Sequence, residues 1–283
     1  MRVRGCPPGA PCPTMARMPT PFRTLSRVVG GLLVLFIALP LVALASQWRH
    51  LALLTNASAG VLEALALSLR TTGLACAIVI VAGTPLAWRL ARSRSPLASA
   101  VQTLLDLPLV LPPTVAGLAL LLAFGRAGLL GTTFEALGWR LPFTTAAVVC
   151  AQVFVSAPLY VAAARAAFTT IDPAYEEVAA TLGSGEAARF FSVGLPLARH
   201  GLLAGAVLAT ARALGEFGAT LMFAGNLAGV TRTLPLAVYG ALQVEPDAAI
   251  ALSLVLLALA AVLLALLRVV GRPTPREVAD ARR

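Results

Sequence analysis

The sequence contains no lysine: all 22 of its basic residues are arginine. A Walker A loop needs a lysine after its glycines to hold nucleotide phosphates, so the chain has no such site of its own. Schiff-base chemistry, which needs a lysine amine, is excluded with it. Histidine is nearly as scarce, with only His50 and His200. The four cysteines, Cys6, Cys12, Cys76 and Cys150, form no CxxC pair, so a metal site is not expected. Gly183, Ser184 and Gly185 do not make a GxSxG nucleophile elbow. His50 and His200 sit at opposite edges of the apolar segments and cannot serve one buried serine. Charge is thin: 12% of residues are charged against 59% hydrophobic, and mean hydropathy is +0.87. That balance describes a polytopic membrane protein rather than a soluble core. The net charge of +10 reads as membrane topology, not as a nucleic-acid surface, because arginines cluster at the ends of apolar segments.

Six apolar segments are expected to span the membrane: 28–46, 61–89, 104–124, 145–168, 197–224 and 248–270. The first resembles a signal peptide, but five arginines precede it and it is long enough to cross, so it reads as an uncleaved helix. The tails, 1–27 and 271–283, are expected to be irregular and to flank one transmembrane domain over 28–270. Sixteen of the 22 arginines fall in the tails, at the end of the last span (Arg268), in the 89–94 turn and in the 165–199 region. The positive-inside rule then places both termini in the cytoplasm of a bacterium, with the chain in its cytoplasmic membrane.

The rest is organised around residues 172–196, DPAYEEVAATLGSGEAARFFSVGLP. Asp172 can cap a helix opening with Pro173. Glu176 and Glu177 then fall in its first turns, where acids suit the helix dipole. Gly183 to Gly185 break that helix, and a second carries Glu186, Arg189 and Phe190. Pro196 marks its end and the start of the next span. A connector needs no two-helix structure, so this polar island reads as a docking element.

Two other stretches carry polar or strained residues inside the bilayer. Pro108, Pro112, Pro113 and Gly117 are expected to bend or open the third span. Arg212 and Glu216 stand one turn apart in the fifth, where an unpaired charge is costly, about 2.5–3.5 kcal/mol on insertion scales. Two readings of this pair stand side by side: a buried lock on helix packing, or a pair lining a route or relaying motion from the island. Gly215 and Gly218 beside it invite close helix contact.

The island resembles the loop signature of permease subunits of ATP-binding-cassette importers, EAA, three residues, G, nine residues, I, one residue, LP. Here Glu177, Val178 and Ala179 form the triplet, Gly183 is the glycine, and Val193, Gly194, Leu195 and Pro196 close the pattern. Val178 replaces the usual Ala and Val193 the Ile. Three more stretches, LPLVLPPTVAG (107–117), RALGEFGATLMFAGN (212–226) and TRTLPLAVY (231–239), look like the molybdate permease branch. Sulfate permeases share a version of the second.

The resemblance implies an all-α, six-span fold of the type I importer permease (MetI-like) class. It implies a homodimer, two cytoplasmic ATPase subunits carrying ATP and Mg, and a periplasmic or extracellular binding protein for molybdate or tungstate. No cofactor is expected on this chain. Glu176, Glu177, Ala179, Gly183, Leu195 and Pro196 would form the ATPase-coupling loop. Pro112, Pro113, Thr114, Ser156, Arg212, Glu216, Thr220 and Arg232 are candidates for the pathway or its gate. A doubly charged oxyanion needs donors without a tight cage, or it could not leave. A sulfate or thiosulfate permease, and a secondary carrier or channel working without ATP, are the alternatives.

Overall fold

The computed structural model describes residues 20–56 and 59–270. Most of both expected tails, residues 1–19 and 271–283, lies outside the described residues. Among the described residues every regular element is helical. The chain divides into two compact units, Met1–Arg49 and His50–Arg283. The first contains α1 (Thr20–Ala45), which takes in Pro40. It begins eight residues before the apolar segment, because a threonine followed by proline is itself a helix start. The rest of the description concerns the second unit.

Among the described residues, five helices are long and apolar enough to cross a membrane. In the second unit these include α2 (Ala59–Arg92) and α6 (Thr145–Thr169). At 34 residues, α2 is about 50 Å long, well beyond the ~30 Å hydrocarbon core.

The third expected span is not one helix. It is α3 (Pro96–Val110), capped by Ser95 Oγ accepting from the Ala98 amide at 3.1 Å, followed by α4 (Pro113–Phe124). Helix geometry stops at Leu111, because the residue before a proline is pushed out of the α region, and here Pro112 and Pro113 act in series. The two halves still complete a crossing. Val101 and Leu105 of α3 pack with Trp88 and Phe168 at the island end. Ala116 and Leu120 of α4 pack with Ala147 and Ala151 at the other end.

Two more departures concern the connections between the expected spans and the fifth span itself. Residues 125–144 contain a short helix, α5 (Gly131–Ala136). Residues 225–247, expected as loop, hold α11 (Leu234–Val244), whose first amide donates to Ser68 Oγ at 2.6 Å. The fifth span is broken into α9 (Leu195–Leu214) and α10 (Gly218–Ala224). The last long helix is α12 (Pro246–Val270).

Helix α6 is the centre of the unit. Its Ala147, Ala151 and Ala164 are fully buried, and small side chains let α2 and α9 approach its two sides. Some of the polar groups inside are paired across helices: Thr84 Oγ1 with Tyr160 Oη at 2.6 Å, and Cys76 Sγ with Thr210 Oγ1 at 3.0 Å. Cys76 and Cys150 are free, half-buried thiols within spans, where a thiol packs as a small apolar side chain.

Candidate functional site

The island folds as its sequence predicts at its first helix. This is α7 (Pro173–Thr181), with Asp172 Oδ1 accepting from the Ala174 amide at 2.9 Å. Its end is a Schellman closure. The Ser184 amide donates to Ala179 O at 3.0 Å and the Gly183 amide to Ala180 O at 2.9 Å. Gly183 takes φ +83°, the left-handed conformation that closure requires and that only glycine adopts without strain. The motif's Ala179 and Gly183 are thus the two ends of one hydrogen-bonded stop.

The second half departs from expectation. After α8 (Glu186–Arg189) the backbone runs through a π turn, Phe190–Gly194, directly into α9. Pro196 ends no helix; it lies in the first turn of α9. Its ring lacks an N–H and would clash with the Ser192 carbonyl in a regular helix. The turn therefore widens, and the Leu195 amide bonds Phe190 O five residues back. The island is continuous with the fifth span.

Glu176 and Glu177 have different surroundings. Glu176 is held bidentately by Arg92 at the end of α2, Nε to Oε2 at 2.8 Å and Nη2 to Oε1. The Arg92 guanidinium also lies over the Trp88 ring. Trp88 in turn meets Phe168 and Phe190 edge-on at 5.2 and 5.4 Å. Glu177 is exposed, as are Tyr175, Val178 and Leu182. Spacings of three and four put those three apolar side chains on one helical face. Nothing in the unit covers them, although apolar side chains on a polar loop are unfavourable in water.

The second candidate region is assembled by the two helix breaks. A Cβ on Gly218 of α10 would sit 2.8 Å from Pro113 Cβ, and one on Gly117 of α4 would sit 2.7 Å from Ala219 O. The proline break in the third span therefore crosses the glycine break in the fifth at backbone contact. Gly215 faces no such neighbour; its nearest atom is Ala211 O of its own helix.

Arg212 Nη1 donates to Glu216 Oε2 at 2.6 Å, so the expected pair forms. The helix stops between its members, however. Glu216 Oε1 accepts from the Ala219 amide at 2.8 Å, capping α10. Glu216 is fully buried, whereas Arg212 is half-buried.

The other pathway candidates disperse. Pro112, Pro113 and Thr114 are exposed beside the crossing. Ser156 is buried and donates to Gln152 O within its own helix at 2.6 Å. Thr220 is fully buried and its hydroxyl has no hydrogen-bond partner among the described residues. Arg232 donates to Asn226 Oδ1 at 3.0 Å. Sequence reasoning missed Gln152, whose amide donates to Thr72 Oγ1 at 3.1 Å and to Ala213 O at 3.2 Å, steadying the frayed end of α9. Its signal was available: a lone amide side chain in an apolar span.

Residues 80–273 match the family model described as the binding-protein-dependent transport system inner membrane component. The chain belongs to that family. It is therefore a multi-pass inner-membrane permease, and the island and the crossing are parts of a permease. It is 50% identical over 231 residues to the molybdenum transport system permease protein ModB of Mycobacterium tuberculosis, covering 81% of this chain and 87% of that one. With the Escherichia coli K12 protein of the same name it shares 39% identity over 206 residues, 72% of this chain and 90% of the relative. Among solved structures, a bacterial ABC transporter involved in import of the acidic polysaccharide alginate superposes with TM-score 0.70 at 16% identity, covering 89% of this permease and 96% of that chain. A second structure of a bacterial alginate ABC transporter, in complex with alginate pentasaccharide-bound periplasmic protein, gives 0.67 at 15% identity. At such identities these two speak for the fold alone.

Proposed function

We propose that this chain is the membrane-spanning subunit of an ATP-binding-cassette importer for molybdate, with tungstate as a second substrate. It works as a homodimer, with both termini in the cytoplasm. A periplasmic or extracellular binding protein delivers the oxyanion to the outer loops. Two separate ATPase subunits, carrying ATP and Mg, grip residues 172–196. The observation that carries this reading is the coupling loop: a capped and closed helix presenting Tyr175, Val178 and Leu182 outward while Arg92 ties its other side to α2. The oxyanion assignment is supported by the molybdenum permeases among the relatives.

Two physical paths lead inward from that loop. One is the Arg92–Glu176 pair into α2. The other is the π turn into α9, a rod of about 30 Å whose far end is the Glu216-capped break against α4. An ATPase that binds one arrangement of the two loops better than another shifts the dimer towards it. The crossing of α4 and α10 is the element best placed to respond, since each half-helix is released from its partner by a break.

The coupling reading is tested by Gly183→Ala combined with Glu177→Ala. No atom lies near a Gly183 Cβ, so folding loses only the left-handed penalty of ~1–2 kcal/mol. We expect the variant to insert at normal levels, to lose most ATPase in co-purification, and to transport several-fold more slowly. Normal association and transport would sink the docking role. The substrate is tested by uptake of labelled molybdate against excess sulfate. Little competition is expected; strong competition moves the chain to the sulfate branch.

A further inference from the structure

Beside the coupling loop lies a cleft. It is walled by the ends of α2 and α6 and by α7, encloses about 670 Å³, and adjoins a second groove of about 260 Å³ that shares Arg94 and Arg165 with it. Arg92, Arg94, Arg165 and Arg189 line it against two carboxylates, Glu176 and Glu177. Arg92 is committed to Glu176. Three arginines then face one remaining carboxylate, an excess of two positive charges. The Nε groups of Arg165 and Arg189 are buried and have no hydrogen-bond partner among the described residues. Sheltered N–H groups of a cation are costly to leave unmade. The positive-inside rule accounts for arginines at this edge of the membrane. It does not account for the convergence of four arginines on one concavity.

We propose that the cleft is a binding site for a tetrahedral oxyanion bearing two negative charges, held by the guanidinium groups of Arg94, Arg165 and Arg189. Guanidinium forks fit such oxygens better than any other side chain. Arg94 follows α2, Arg165 belongs to α6 and Arg189 to the coupling loop, so one bound anion ties together three elements that must move during coupling. Free phosphate or molybdate from the cytoplasm has this chemistry. So does the phosphomonoester headgroup of phosphatidic acid.

The test uses the full-length permease in phosphatidylcholine nanodiscs at fixed ionic strength. Binding of labelled inorganic phosphate and of labelled molybdate is measured for the wild type, for Arg165→Gln with Arg189→Gln, and for Arg94→Gln. Saturable binding that weakens at least about tenfold in the double variant, and measurably in Arg94→Gln, supports a site for free anions. If instead nanodiscs containing phosphatidic acid retain that lipid through purification, and the same variants lose it, the headgroup source is supported. Arg94 is exposed, so its variant keeps the test decisive if the double variant fails to fold. No binding of any of the three probes overturns the proposal. So does binding that the variants leave unchanged. Displacement of the anion by added ATPase also overturns it, assigning the arginines to a protein partner.

Discussion

Glu216→Ala is expected to abolish transport while leaving the chain in the membrane. The carboxylate is fully buried and makes two bonds, one to Arg212 and one to the Ala219 amide. Removing one member of a buried pair costs about 3–5 kcal/mol. The low end applies here, because a third of the Arg212 side chain is exposed. Loss of the cap on α10 adds about 1 kcal/mol. A simple packing pair predicts that removing both members is far milder than removing one. The cap changes that expectation: the Arg212→Ala, Glu216→Ala double variant should do no better than Glu216→Ala, since the Ala219 amide stays uncapped. Glu216→Gln keeps an acceptor oxygen for that amide and should retain part of the activity. Uptake into proteoliposomes, normalised to inserted protein, reads all three. A double variant transporting at nearly the wild-type rate would reduce the pair to a packing lock.

Gly194→Ala is expected to uncouple the transporter almost as severely. Gly194 sits in the π turn, and an added Cβ would collide with Trp88 Cζ3, Cη2 and Cε3. That ring is buried and held edge-on by Phe168 and Phe190, so it has nowhere to go without disturbing them. Overpacking of this kind costs about 1–3 kcal/mol. The consequence beyond stability is that the Arg92 guanidinium rests on the same ring. Displacing Trp88 also displaces the arginine that holds Glu176. ATP hydrolysis stimulated by loaded binding protein should fall together with uptake. Trp88→Leu added to Gly194→Ala should restore part of both by removing the collision. Wild-type stimulation in Gly194→Ala would show that the turn has slack that the packing denies.

Much of this was legible in the sequence because it is local. Asp172, Pro173 and Gly183 bracket one helix and act within a few residues of themselves, and the arginine pattern marks the membrane edges one segment at a time. The signature's spacing located the island, yet its unspecified position between Val193 and Leu195 holds a glycine whose necessity comes from Trp88, more than a hundred positions away. Arg92 as the partner of Glu176 was invisible for the same reason: the pair joins the end of one span to the start of a loop after four intervening helices. Apolar runs such as 104–124 and 197–224 read as continuous spans because hydropathy averages over a break. Pro112 and Pro113 hinted at one of the two interruptions. Only the packed structure shows that the other, at Gly215 to Phe217, lies against it.

Those interruptions bear on how the protein reaches its membrane. A helix of 12 residues such as α4 or of seven such as α10 is too short to partition into lipid alone, where about 20 apolar residues are needed. Their exposed ends would leave backbone groups without partners in hydrocarbon. Both must therefore wait for the N-terminal half of α6, whose Ala147 and Ala151 pack with Ala116 of the one and Ala219 of the other. During synthesis α4 emerges before α6, and α10 after it. Insertion cannot follow the order of the chain: the third span stays provisional until the fourth has entered, and the crossing forms only when the fifth arrives to close it.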